Sequence, residues 1–213
     1  MMKRNNFPFS AVLGLNHAKT AILVVLVNPR AGGLLISGPQ GIGKSTLMRS
    51  TQELIERPWR DIPVSVTEDR LFGTIDTEKA IYSGQKKLYP GIINEADQGV
   101  LYLDDANLLR EDLLDSILNI AEVGAYQLER DGLSLRCDTS FTVIAAINPE
   151  SGMLSGACLD QFGLFVNVDN IHDENTRVEI LKRTISFEKD CASFCKLWKL
   201  ENEKIKKAIH SAM

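Results

Sequence analysis

A glycine-rich stretch at residues 38–45 contains side chains that could bind phosphate and magnesium. It reads GPQGIGKS and satisfies every specified position of the pattern G-x-x-x-x-G-K-S/T. Glycines let backbone N–H groups turn inward around phosphate oxygens, Lys44 would neutralise the β- and γ-phosphates, and the Ser45 hydroxyl would bind Mg²⁺. The stretch therefore predicts ATP and Mg²⁺ as ligands, and it leaves open whether the ATP is hydrolysed.

Two neighbouring acids, Asp104 and Asp105, follow the apolar run at residues 100–103. An apolar strand that ends in acids has the form of a Walker B motif. Asp104 would hold Mg²⁺, directly or through water, and Asp105 would polarise the attacking water. A solvated strand end with helix-capping acids would explain the same residues. The complete motif at residues 38–45 favours the catalytic interpretation.

Asn148 follows the next apolar run, at residues 141–147. Its amide could orient a water molecule against the γ-phosphate if this strand ends beside Asp104. The dipeptide Asn148-Pro149 is also a common turn, and the local sequence alone favours the turn. Both interpretations stay open at this point.

Apolar runs and helical spacing predict the elements that position these residues. Buried strands are expected at residues 34–37, 100–103, 141–147 and 164–168, and helices at 16–27, 45–54, 111–123 and from Asp173 onward. The first strand and the second helix flank the glycine-rich stretch, as a phosphate-binding loop requires. Strands that alternate with helices predict an α/β fold with a mostly parallel sheet. Residues 126–135 predict a hairpin that turns at Asp131 and Gly132.

The composition fits a globular protein and argues against some partners. Of the 213 residues, 44% are hydrophobic and 24% charged, and the formal net charge of −4 argues against a general nucleic-acid-binding face. The first residues lack the apolar segment of a signal peptide, and the longest apolar run, residues 21–27, is too short to cross a bilayer. The four cysteines lack the spacing of a zinc site. We expect a cytoplasmic protein without membrane or nucleic-acid partners.

Nine short stretches follow one another along residues 6–197, namely FPFSAVLG from residue 7, TEDR from 67, GTID from 73, YPGII from 89, GVLYLD from 99, NLL from 107, LERDG from 128, NPESG from 148 and LDQFG from 159. In this order they resemble the AAA+ proteins of the magnesium-chelatase I-subunit family. The resemblance implies an AAA+ P-loop nucleotide-binding domain over residues 6–172. It also implies that residues 173–213 are the start of a helical lid domain, which is truncated in this chain.

The same resemblance implies roles for individual residues. Val12 and Leu13 would line the adenine pocket, and Asn148 would be the sensor 1 residue. The phosphates would be cradled by Gly38, Pro39, Gln40, Gly41, Ile42, Gly43, Lys44, Ser45 and Thr46. The candidate catalytic residues are then Lys44, Asp105 and Asn148, and the candidate Mg²⁺ ligands are Ser45 and Asp104.

The function that the resemblance implies is that of an AAA+ ATPase subunit of a magnesium or cobalt chelatase. Such a subunit couples ATP hydrolysis to insertion of the metal into a tetrapyrrole. Its ATP would lie between neighbouring subunits of a ring, formed by copies of the chain or with AAA+ partner subunits. A large chelatase subunit would be a further partner and would hold the tetrapyrrole.

Two positions depart from the family pattern. The family has Glu where this chain has Asp105, whose carboxylate would end about 1 Å short of the water, a misplacement that can slow hydrolysis by about 10²-fold. The family has a trans-acting arginine where this chain has Gln161, and a second arginine is missing from residues 154–157. These departures leave an alternative open, namely a subunit that binds ATP, hydrolyses it poorly and has a regulatory or scaffold role.

Overall fold

A sheet of five parallel strands forms the centre of the computed structural model, which describes residues 6–75, 88–130 and 133–212. Its strands are β1 (Leu34–Ser37), β2 (Trp59–Ile62), β5 (Gly99–Leu103), β8 (Phe141–Ile147) and β9 (Leu164–Asn167), in the spatial order β2-β5-β8-β1-β9. Two antiparallel pairs lie outside this sheet. They are β3 (Gly73–Ile75) with β4 (Leu88–Pro90), and β6 (Ala125–Arg130) with β7 (Leu133–Asp138).

Helices connect these strands and cover the sheet. They are α1 (Asn16–Val27), α2 (Lys44–Thr51), α3 (Glu68–Phe72), α4 (Ile92–Glu95), α5 (Glu111–Val123), α6 (Gly156–Asp160), α7 (Glu174–Lys189) and α8 (Cys191–Ala212). α1 ends at the residue pair Asn28-Pro29, because a residue before proline is disfavoured in helical conformation. α5 ends at Gly124, whose φ of 77° is the left-handed conformation that commonly terminates helices.

The core has two parts, one on each face of the sheet, because successive strand residues point to opposite faces. On one face Leu101 and Leu103 pack against the apolar side of α5, including Ile117. On the other face Val100 and Tyr102 belong to a cluster with residues of α1, α2 and α8. Fully burying one such aliphatic side chain stabilises the fold by about 1.5–3 kcal/mol. The strands are therefore held between helical layers, as the α/β prediction requires.

The predicted α/β fold with a parallel sheet is confirmed. β1 and β8 have the predicted bounds, while β5 begins one residue earlier and β9 ends one residue earlier than predicted. The edge strand β2 was missed, because Arg60 and Asp61 in its middle are exposed and interrupt any apolar run. The short elements α3, β3, β4 and α4 were also missed, since they lie in a polar stretch without a helical or strand period.

Other predicted elements differ from the structure at their ends. The helix predicted over 45–54 begins at Lys44 and ends at Thr51, and a 3-10 turn follows over Gln52–Leu54. The helix predicted from Asp173 is two helices, α7 and α8, which meet at Asp190, where the backbone leaves helical conformation. The predicted hairpin forms as β6 and β7, but its turn at Asp131 and Gly132 lies outside the described residues.

The last helix, α8, packs on the same core as the first helix. Ile209 is buried in the cluster that contains α1, and the Asn202 side chain accepts a hydrogen bond of 2.9 Å from the backbone N–H of Ser10. The division of the chain into residues 6–172 and 173–213 stays a prediction.

The strand order brings the ends of β1, β5 and β8 to one edge of the sheet. All three run in the same direction, so their carboxyl ends meet there. β8 lies between β1 and β5 and places Asn148 between the glycine-rich loop and the two acids. The strand before Asn148 therefore ends beside Asp104, which is the arrangement that the water-orienting interpretation of Asn148 needs.

Candidate functional site

The glycine-rich loop runs from the end of β1 to the start of α2. Gly41 and Gly43 have φ angles of +84° and +94°, which other residues rarely adopt. Gly43 is the residue before the first turn of α2, so the unpaired N–H groups of that turn point into the loop. Such a loop at a helix N-terminus binds anionic phosphate.

Lys44 is held inside this loop by the loop's own backbone. Its ammonium donates hydrogen bonds to the carbonyl oxygens of Gly38 at 2.6 Å and Pro39 at 2.8 Å, and the residue is only 7% exposed. Burial lowers the pKa of Lys44, while the negative charges of Asp105 and Asp104 raise it in part. The positive charge of Lys44 is thus held where an anion that enters the loop would bind.

Ser45 and Asp104 form the pair of oxygen ligands that Mg²⁺ would need from the protein. The Ser45 hydroxyl donates a hydrogen bond to Oδ1 of Asp104 at 3.1 Å, so the end of β5 and the start of α2 meet here. Mg²⁺ prefers oxygen ligands and usually keeps several waters beside one or two protein groups. No cluster of three or more His, Cys, Asp or Glu side chains that could hold a metal occurs in the described ranges. A hydroxyl and a single carboxylate fit Mg²⁺ bound together with phosphates.

Asp105 stands in a left-handed conformation, with φ and ψ both 50°. Aspartate tolerates this conformation better than most side chains, yet it costs energy and is frequent at functional sites. Asp105 lines a cavity of about 360 Å³ together with Lys44, Ser45, Asp104 and Asn148. Its carboxylate therefore faces the space in which phosphates would lie.

Asn148 forms the turn that the sequence favoured and also lines the cavity beside the acids. Its Oδ1 accepts a hydrogen bond of 3.2 Å from the N–H of Glu150, and its Nδ2 donates to the Ser151 hydroxyl at 3.3 Å, so it caps the turn at Pro149–Ser151. The same side chain is 8% exposed and lines the cavity of about 360 Å³ described above, which we call the phosphate cavity. The turn thus holds the amide in place beside the acids.

Asn107 supports the site from outside the cavity, although no role was assigned to it from the sequence. Its Nδ2 donates to the carbonyl oxygens of Asn148 at 3.2 Å and Gly152 at 3.1 Å. It therefore connects the segment that begins at Asp105 to the turn that carries Asn148. Asn107 follows Asp104 by three residues in the sequence. This closeness indicates a contact with the Asn148 turn only once β5 and β8 are known to be neighbours.

A second cavity of about 510 Å³ adjoins the first and shares Gly41, Gly43 and Thr46 with it. Val12 and Leu13 line this cavity, where the resemblance expected the base to bind. The opposite wall is formed by residues of α7 that the sequence did not point to, namely Arg177, Ile180, Arg183, Thr184 and Phe187. They lie too far along the chain for a local pattern to connect them with the loop.

The predicted loop residues divide into four groups, the first of which, Gly41, Gly43 and Thr46, lines both cavities. Gln40, Lys44 and Ser45 line only the phosphate cavity, while Ile42 lines only the second cavity. Gly38 and Pro39 line neither cavity and instead hold Lys44 through their carbonyls. A side chain at position 38 would place its Cβ 2.4 Å from the carbonyl oxygen of Val168, so the loop can pass there only with glycine.

Two cations fix the segment that carries Val12. Arg183 donates from Nη1 to the Ala11 carbonyl at 3.0 Å, and the Lys19 ammonium donates to the Val12 carbonyl. Burial lowers the pKa of Lys19, and the nearby charge of Arg183 lowers it further. The wall of the second cavity is therefore held by both α1 and α7.

Gln161 lies far from these groups. It lines a cavity at the opposite edge of the sheet, beside the amino ends of β1 and β8, together with Arg30. Its side chain therefore cannot complete the site formed by Lys44 of the same chain.

The fold and the site define an AAA-type P-loop nucleotide-binding domain. A family model described as AAA domain (dynein-related subfamily) matches residues 33–161. This range contains the loop, both acids and Asn148.

Similar proteins show to which family within this class the chain belongs. The magnesium-chelatase 38 kDa subunit of Cereibacter sphaeroides is 34% identical over 239 positions, with 97% of this chain and 72% of the relative covered. The magnesium-chelatase subunit ChlI homolog of Methanocaldococcus jannaschii is 32% identical over 249 positions, with 100% and 68% covered. A structure of the complex between subunits BchI and BchD of magnesium chelatase, based on a single-particle cryo-EM reconstruction, is 34% identical with a TM-score of 0.73 over 98% of this chain and 75% of that one. The chain belongs to the family of magnesium-chelatase ChlI/BchI subunits, as the resemblance predicted.

The alignments are longer than the chain itself, which has 213 residues. These relatives therefore carry residues within the aligned region that have no counterpart here. None of the helices in the described part of the chain has the length and apolarity needed to span a bilayer.

Proposed function

We propose that this protein is an ATP-hydrolysing subunit of a metal chelatase, which couples hydrolysis to the insertion of Mg²⁺ or Co²⁺ into a tetrapyrrole. The observation that carries the proposal is the Ser45–Asp104 hydrogen bond of 3.1 Å in a cavity that Lys44, Asp105 and Asn148 also line. A cation, oxygen ligands for Mg²⁺, a carboxylate and an amide are groups that take part in hydrolysis of MgATP.

Each of these groups has a distinct task in the proposed reaction. Mg²⁺, when bound with ATP, neutralises charge on the phosphate oxygens. The loop N–H groups bind these oxygens, Lys44 exchanges its two carbonyl partners for them, and Ser45 and Asp104 hold the metal. Asp105 accepts a proton from the attacking water, and Asn148 orients that water.

A second candidate function is a nucleotide-binding regulatory or scaffold subunit with little turnover. It is favoured by the short side chain of Asp105 and by the neutral Gln161, because an arginine finger contributes about 10³–10⁵-fold in rate. All binding groups are kept in both candidates, so nucleotide affinity alone does not separate them.

The proposed partners follow from the relatives. The structure of subunits BchI and BchD is that of a complex between two chelatase subunits, which supports assembly of this chain with copies of itself or with an AAA+ partner. A partner could supply the arginine that position 161 lacks. A large subunit that holds the tetrapyrrole and a cytoplasmic location remain predictions.

Steady-state ATP hydrolysis by the purified protein, with ATP affinity measured in parallel, tests the proposal. We expect turnover that Lys44→Ala abolishes. Tight binding without turnover, both alone and in mixtures with an AAA+ partner subunit, would leave the regulatory function. Absence of ATP binding would refute both candidates.

A further inference from the structure

Tyr102 carries a buried hydroxyl that has no part in the function proposed above. The residue is 3% exposed, and its Oη has no hydrogen-bond partner among the residues that the structure describes. Leaving a buried hydroxyl unpaired destabilises the folded state, so such a group calls for an explanation.

The position of this hydroxyl connects it to the metal ligands. Tyr102 packs in the cluster that contains residues of α2, and Asp104, which directly follows β5, accepts a hydrogen bond from Ser45 of the same helix, so both side chains lie on the α2 side of the sheet. Burial raises the pKa of the Tyr102 phenol, the neighbouring Asp104 carboxylate raises it further, and contact with the Ser45 hydroxyl lowers it, so both candidate metal ligands lie near this hydroxyl. The Tyr102 ring is fixed from behind by Trp59, with 5.9 Å between the ring centroids.

We propose that Tyr102 is a positioning residue for Asp104 when Mg²⁺ is bound, which rests on the proposed MgATP function. Asp104 then directs one oxygen to the metal or its water, and the phenol O–H of Tyr102 donates a hydrogen bond to the carboxylate. The packed ring holds the hydroxyl oxygen in place near Asp104, and the O–H can turn toward the carboxylate. Groups that orient a metal ligand in this way typically contribute 10–100-fold to metal affinity.

The chain offers a matched control in Tyr126. Its hydroxyl also lies partly buried, but its single O–H proton has hydrogen-bond acceptors in the hairpin region, where Oη is 2.7 Å from both the backbone carbonyl oxygen of Phe72 and Oδ1 of Asn94. Tyr126→Phe removes the same atom as Tyr102→Phe, without touching the nucleotide cavity.

The experiment compares wild type, Tyr102→Phe and Tyr126→Phe by titrating Mg²⁺ into protein with a non-hydrolysable ATP analogue. The analogue carries a fluorescent group whose signal reports its binding to the protein. A parallel series in EDTA gives the affinity of the analogue in the absence of metal. We expect Tyr102→Phe to raise the half-saturating Mg²⁺ concentration by about tenfold or more and to leave the EDTA affinity unchanged. Tyr126→Phe should match wild type in both series.

Unfolding of the nucleotide-free variants separates positioning from a structural role. Tyr102→Phe removes an unpaired hydroxyl, so its stability should equal or exceed that of wild type, and weaker Mg²⁺ binding then cannot reflect damage to the fold. Equal Mg²⁺ dependence in Tyr102→Phe and wild type would overturn the inference alone. If wild type binds the analogue with no Mg²⁺ dependence, the metal site of the proposed function fails, and the inference fails with it.

Discussion

The amide of Asn107 connects the two loops that carry the candidate catalytic side chains. Its Nδ2 donates to the carbonyl oxygen of Asn148 at 3.2 Å and also reaches Gly152 at 3.1 Å. Asn107 itself lies two residues after Asp105. A change in this one side chain should therefore disturb the distance between the Asp105 carboxylate and the Asn148 amide, which act on the same water in the proposed reaction.

Asn107→Asp should lower kcat by about tenfold or more and leave nucleotide affinity nearly unchanged. The variant keeps the shape of the side chain, but it removes the donor and sets a carboxylate against two carbonyls, and small misplacements of catalytic groups reduce rates strongly. Steady-state kinetics and analogue binding measure the two effects. Asn94→Asp is the control, because Asn94 uses its Oδ1 as an acceptor for Tyr126 and keeps an acceptor there. An unchanged kcat in Asn107→Asp would show that the connection is not needed for hydrolysis.

Asp105→Glu should raise the hydrolysis rate, by up to about 10²-fold, because the added methylene brings the carboxylate closer to the water. Asp105→Asn should abolish turnover, since an amide cannot accept the proton. Both are measured under saturating ATP. The left-handed backbone at position 105 suits aspartate better than glutamate, so unfolding of both variants is followed as well. A Glu variant that folds normally and gains no rate would show that the shorter side chain does not limit hydrolysis.

Gln161→Arg should increase turnover only in assembled protein. Position 161 lies at the edge of the sheet opposite Lys44, so an arginine there can act only on a neighbour's site. Rates are measured over a range of protein concentrations and compared with Gln161→Lys and with Gln127→Arg, a control on the exposed face of the hairpin. We expect the gain to vanish on dilution as subunits separate. A gain that is independent of concentration would contradict a role between subunits.

Nucleotide affinity should fall as the pH becomes alkaline. Burial lowers the pKa of Lys44 in the free protein, whereas a bound phosphate anion would raise it. Between these two pKa values binding takes up a proton, so affinity is highest below the pKa of the free form and declines as the pH rises through this interval. Calorimetry in alkaline buffers of different ionisation enthalpy detects the proton directly. Affinity that stays constant while the protein remains folded would mean that Lys44 does not change its protonation on binding.

Much of the fold could be predicted from the sequence, because buried strands appear as short apolar runs and amphipathic helices as regularly spaced apolar residues. The strands over Leu34–Ser37 and Phe141–Ile147 were predicted with their observed bounds. The edge strand at Trp59–Ile62 could not be, since its exposed centre has the composition of a loop. The break at Asp190 was missed for a related reason, as the polar residues around it continue a helical pattern.

The sequence by itself determined the chemistry of the phosphate site. The spacing from Gly38 to Ser45 dictates a loop that only glycines allow, and that loop requires a strand before it and a helix after it. Such information is local, because it depends on residues within one or two turns of each other.

Only the tertiary structure decided which distant residues share this site. The insertion of β8 between β1 and β5 sets Asn148 beside Lys44 and Asp104, and α7 brings Arg183 against the segment that holds Ala11. Strand order and helix packing depend on how whole faces of the chain bury their apolar surface together. No window of the sequence contains that information, so the roles of such residues become visible only when the fold is known.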